Sequence, residues 1–78
     1  MTATLRLYTV YWNPRDYPNR DVVRGFTIYG GSVVADVDAL YIGETLSGGR
    51  HAILRALPGA VRLNRNMQDE AQILEVWL

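Results

Sequence analysis

The chain contains no cysteine and no lysine, and it has only three prolines, one histidine and one phenylalanine among its 78 residues. Without cysteine, no disulfide can staple the fold and no thiolate can hold zinc. Without lysine, every base is an arginine, a planar donor suited to bidentate and stacked contacts. No apolar run approaches the roughly 20 residues needed to cross a bilayer. Met1 is followed by TATLRLY, which has neither a basic segment nor an apolar core, so no signal peptide is expected. These absences lead to the expectation of a soluble, cytoplasmic protein. Eight acids balance eight bases, so no global field steers the chain towards nucleic acid or acidic lipid.

A chain of this length forms one domain, 1–78. It hides only roughly 60–65% of its unfolded surface, and small scaffolds of this kind need a staple or a partner. With no disulfide and no cluster of metal ligands, good packing or self-association has to supply the stability.

The informative stretch runs from Leu5 to Tyr29 and holds four of the eight arginines. Thr4 to Trp12 alternates at period two but is apolar on both sides, which predicts a central strand. Asn13 to Arg20, NPRDYPNR, is a loop bracketed by Pro14 and Pro18, which lower the entropy lost on meeting a partner. Arg15, Asp16 and Tyr17 lie between the prolines, and Arg and Tyr dominate interface hot spots. In the alternative reading, Tyr17 folds back onto the sheet and Asp16 closes a turn. Asp21 to Tyr29 predicts a second strand. Placing Val23, Phe26 and Ile28 all inside would require a bulge near Gly25, with Arg24 left outside.

Gly30 to Ser32 reads as a turn, Val33 to Asp38 as a connection and Ala39 to Gly43 as a third strand. Thr45 or Ser47 caps the one helix, with Leu46, Ile53, Leu54 and Leu57 on its apolar stripe and Pro58-Gly59 ending it. Gly48 and Gly49 weaken its first turn. Ala60 to Arg65 predicts a fourth strand, Asn66 to Glu70 a polar turn, and Gln72 to Leu78 a last strand that is again apolar on both faces. The expected fold is α+β, a mostly antiparallel sheet of four or five strands with one helix on one face, in the order βββαββ.

Chemical signatures are weak. GETLSGGR, Gly43 to Arg50, resembles a phosphate-binding loop but has Gly49 where the lysine belongs. His51 has no nucleophile or orienting carboxylate placed near it. Asp36 and Asp38 lack a sugar-sized cleft between them. No enzyme, cofactor or metal site is expected. Arg50, Arg55, Arg62 and Arg65 form a basic run with no acid between Ser47 and Arg65. That run is the case for weak, salt-dependent nucleic-acid binding, unless acids of the C-terminal segment neutralise it.

Sheet geometry is more informative. One helix covers one face of a sheet, yet the first and last strands are greasy on both. Trp77 and Tyr41, with some of Tyr8, Tyr29 and Trp12, are expected to form an aromatic row on the side the helix does not reach. A soluble monomer seldom leaves such a patch bare. Either the Gly30–Asp38 connection folds over it, or it meets a homodimer partner or another protein. The residues singled out for partner binding are Arg15, Asp16, Tyr17, Tyr41 and Trp77.

YWNPRDYPNRDVVR at Tyr11–Arg24, with ETL at Glu44–Leu46 and EVW at Glu75–Trp77, resembles a group of small proteins of proteobacteria and their phages. The resemblance implies no activity or cofactor. It implies a phage or prophage origin and action by binding. Ser47-Gly48-Gly49 departs from the charged helix start of that group.

Overall fold

The computed structural model describes residues 4–63 and 72–78. The elements are β1 (Thr4–Trp12), β2 (Asp21–Tyr29), β3 (Ser32–Ala35), β4 (Tyr41–Gly43), α1 (Leu46–Ala56), β5 (Arg62–Leu63) and β6 (Ile73–Trp77). The fold is α+β, with one helix and an antiparallel sheet ordered β3-β2-β1-β6-β5, and β4 also pairs with β2. Among the described residues there are six strands where the sequence predicts four or five, because the start of the Val33–Asp38 connection is itself part of a strand. β3 pairs with Phe26–Tyr29 and β4 with Asp21–Val23, so they occupy the same edge of β2 one after the other. Between them the chain leaves the ladder yet stays tied, Asp36 N donating to Gly25 O at 2.9 Å and Leu40 N to Val23 O at 2.8 Å. The predicted turn Asn66–Glu70 lies outside the described residues, as do Asn64 and Arg65 at the end of the predicted fourth strand.

β1 lies between β2 and β6, as its two apolar faces require. It pairs with β2 in one unbroken register from Thr4↔Tyr29 to Trp12↔Asp21. The bulge expected near Gly25 is therefore absent, and Arg24 and Phe26 share a face. The expectation failed because it placed Val23, Phe26 and Ile28 on one side. Strand side chains alternate, so Val23 faces the helix while Phe26 and Ile28 face away. A register shift occurs instead between β1 and β6, where Val10 opposes Glu75 and Tyr11 opposes Ile73, leaving Leu74 as the extra residue.

Gly25 has a different task. A Cβ built there would come within 2.6 Å of an Arg6 guanidinium nitrogen and 2.9 Å of the Tyr8 ring, and closer still to the Asp36 carboxylate. The missing side chain makes room for the Arg6–Asp36 ion pair, and the Arg6 guanidinium lies 5.1 Å from the Tyr8 ring centroid. Gly30 and Gly31, at φ 55° and 83°, form the two-residue turn joining β2 to β3. Two positive φ values in succession suit a hairpin that follows the strand twist.

α1 leads from β4 at one edge to β5 at the other and so crosses the sheet. Thr45 is its N-cap, the hydroxyl accepting from Gly48 N at 3.0 Å. Its C-terminal turn closes with Leu57 N donating to Ile53 O, followed by Pro58 and Gly59. Ile53 is fully buried against Tyr8, Val10, Val23 and Trp77, with Tyr41, Leu46, Leu57, Ala60 and Leu74 packed around them. Leu54, expected on this stripe, is exposed, because the contact arc of the helix turns through Gly49 and Ile53. Gly49 is buried, and a Cβ there would lie 3.1 Å from Val23 Cγ2. The glycines that weaken the helix start are what let it approach the sheet. Ile53→Ala is expected to lower unfolding free energy by about 2–4 kcal/mol, whereas Leu54→Ala costs under about 1 kcal/mol. Urea titration of the two variants checks the assignment.

Candidate functional site

The alternation of β1 and β2 fixes what each sheet face carries. The side away from α1 holds Leu5, Leu7, Thr9 and Tyr11 of β1, then Val22, Arg24, Phe26 and Ile28 of β2. Pairing adds Val33 and Ala35 from β3, Ile42 from β4, and Leu63 and Val76 from β5 and β6. Two uncharged rows cross three strands at the β3 end. Leu5, Ile28 and Val33 form one, and Leu7, Phe26 and Ala35 form the next. Leu5 and Val33 are exposed, and Leu7, Phe26 and Ile28 are half-buried. The Gly30–Asp38 segment does not fold over this face, since its first half is hydrogen-bonded into the sheet as β3.

The other end of the same face is closed. Val22 and Thr9 are buried there, Val22 flanked across the strands by Tyr11 and Ile42. The loop Asn13–Arg20 bends back to this side, where Asp16 pairs with Arg24. The loop is tied to itself: Asn13 N donates to Arg20 O at 2.9 Å, Tyr17 N to Pro14 O at 3.1 Å, and Asn19 N to the Asn13 side chain at 2.8 Å. Asn13 and Asn19 both have positive φ, which asparagine tolerates better than most residues. Arg15 is exposed beside a shallow cleft shared with Tyr11, Pro14 and Gln72. Tyr17 is half-buried. Asp16 is thus taken up within the chain, while Arg15 remains presented.

Tyr41 and Trp77 are corrected. Both lie on the helix side, Trp77 within the buried cluster and Tyr41 packed against it. Tyr8 belongs to that cluster too, and Trp12 and Tyr29 sit on the same side of the ladder. The aromatic row therefore lies on the helix side, where Tyr8, Tyr41 and Trp77 pack in or against the core while Trp12 and Tyr29 stay exposed. The opposite face is mainly aliphatic. Sequence alternation grouped these aromatic residues on one side and could not say which side the helix would take.

The basic run is also divided. Arg50 makes a two-pronged contact with Glu75, Arg62 bonds the same carboxylate at 3.1 Å, and Trp77 Nε1 donates to it at 3.2 Å. Glu75 sits beneath the helix and joins α1, β5 and β6, so the C-terminal acid does neutralise part of the patch. Arg55 is exposed, His51 is exposed, and Arg65 lies outside the described residues. The glycine-rich helix start has its Gly48 amide committed to Thr45. Among the described residues no three His, Asp or Glu side chains converge as a metal site would require, and no helix is long and apolar enough to cross a membrane.

Hydrogen bonds from Arg50 above all, with Trp77 and Arg62 adding to them, hold the Glu75 carboxyl below its ordinary value of 4.5. Arg6 does the same to Asp36. A depressed folded-state pKa gives stability that is complete above the unfolded value and is lost as pH falls through the folded one. Asp21 acts in the opposite sense, because burial raises its pKa. Glu75→Gln is expected to lower neutral-pH stability by about 1–2 kcal/mol, the lower part of the range for charged hydrogen bonds, because both guanidiniums reach solvent. The loss should shrink below about pH 4.5, as read from urea midpoints across the acid limb. Comparison with protein-family models, with curated proteins and with solved structures finds no match for this chain.

Proposed function

We infer that the protein is a non-enzymatic interaction module that works by burying the open sheet face at its β3 end against another protein surface. One observation carries this reading. The rows Leu5–Ile28–Val33 and Leu7–Phe26–Ala35 are contiguous and uncharged, Leu5 and Val33 are exposed, and among the described residues these rows are paired only within β1, β2 and β3. Apolar area of this kind is worth about 25 cal/mol per Å² when covered. A few hundred Å² then contribute several kcal/mol, comparable with the whole stability of so small a fold. The pre-tied NPRDYP loop at the far end of the same face, presenting Arg15, supplies a polar rim of the type found around interface cores. A phage-derived binding protein is consistent with this design.

Nucleic-acid binding is the weaker reading. Of its four arginines, Arg50 and Arg62 already share Glu75. Such binding should also collapse with rising salt, whereas apolar docking persists.

The decisive variant is Ile28→Asp, which charges the centre of the first row without touching the helix-side core. Capture from source-cell extract should be lost with Ile28→Asp and retained with Arg55→Asp, a control on the exposed helix surface. Equal capture by wild type and Ile28→Asp would overturn the reading.

A further inference from the structure

We propose that the β3 edge is a self-pairing site, at which a second copy of this chain adds its own β3 antiparallel about a two-fold axis and joins the two sheets into one. The proposal rests on the interaction reading above and names the partner of that end of the sheet.

β3 is the outermost strand, paired with β2 alone. Because Asp36 N donates to Gly25 O, alternation along the strand turns the backbone groups of Val34 and Ser32 towards β2. Those of Val33 and Ala35 therefore point outwards, as an open row of donors and acceptors. The side chains reinforce this: Val33 and Val34, on opposite faces, are 64% and 60% exposed. Exposed edges are ordinarily protected by charge, proline, extreme shortness or a bulge. SVVA has no charge and no proline. The opposite edge, β5, is protected, being two residues long with Arg62 as one of them.

The strand is self-complementary. An antiparallel pair centred on Val34 sets Val34 against Val34 of the second copy and Val33 against its Ala35. Outward N–H and C=O groups then meet reciprocally, and each face continues as the same face. No like charges are opposed, since Asp36 lies opposite Ser32 in this register. The chain leaves the ladder after Ala35, with Val37 fully exposed at the excursion, so the pairing is finite. The Leu5–Ile28–Val33 row of each copy is then continued across the axis by the Ala35–Phe26–Leu7 row of the other. A second copy also answers the need of a small fold with no disulfide.

The test is solution mass by light scattering across a concentration series, together with amide hydrogen exchange. Wild type should move from 8.8 kDa towards twice that mass, with the Val33 and Ala35 amides becoming protected in step. Val33→Pro removes an outward donor while leaving the β2-facing groups of Val34, and should hold the chain at monomer mass. Val33→Lys, which places a charge at the same edge, gives the same expectation should the proline variant fold poorly. A wild type that stays monomeric with unprotected Val33 and Ala35 amides overturns the proposal, as does a Val33→Pro or Val33→Lys variant that folds and still dimerises. Protection of those amides only when a captured foreign protein is added also overturns it, in favour of strand addition by that protein. The underlying interaction reading is judged separately by Ile28→Asp capture, so a monomeric wild type with Ile28-dependent capture would reject self-pairing alone.

Discussion

A single helix of eleven residues must seal a sheet of six strands, and most of the structure follows from how it does so. Ile53 reaches into the space between Tyr8, Val10, Val23 and Trp77, and Gly49 brings the helix backbone close to Val23. Helix propensity alone would not hold this segment, given two glycines in its first turn. Tertiary packing does. The Glu75 carboxylate completes the seal by gathering Arg50 from the helix and Arg62 from β5.

The same constraint accounts for what is left uncovered. A helix can shelter only one face, and it takes the face with the larger rings. The far face is then divided by its own loop. Near β4 the returning Asn13–Arg20 segment, anchored by Asp16 on Arg24, accompanies burial of Val22 and Thr9. Near β3, among the described residues, no comparable ion-paired loop returns over the rows headed by Leu5 and Leu7. An open face and an open edge thus meet at one corner of the sheet, and both proposed interactions draw on that corner.

The electrostatics are local in the same way. The zero formal charge conceals specific pairs: Arg6 with Asp36, Arg24 with Asp16, and Arg50 and Arg62 with Glu75. Arg6–Asp36 occupies the space left by Gly25 and ties the excursion after β3 to the centre of the sheet. Its partners are 30 residues apart, so no local pattern could announce it. Arg15 and Arg55 stay outside these pairs, and Arg15 sits on the loop that sequence reasoning singled out.

Strand and helix positions were legible because period-two and helical spacing are local properties. β1, β2, β6 and the Pro58-Gly59 stop follow from neighbouring residues, as does the central place of β1 between two partners, while the structure chooses Thr45 over Ser47 as the cap. Face assignment is not local. Whether Trp77 and Tyr41 or Phe26 and Ile28 meet the helix depends on which side the crossover from β4 to β5 takes, a decision made by the whole sheet. The strand at Val33 was missed because four residues after a glycine turn carry too short a pattern, and pairing with β2 creates the strand. In the same way nothing local marks Glu75, and only the tertiary fold brings two guanidiniums and an indole to it. Chain chemistry set the two greasy faces, and long-range packing decided which one would remain open.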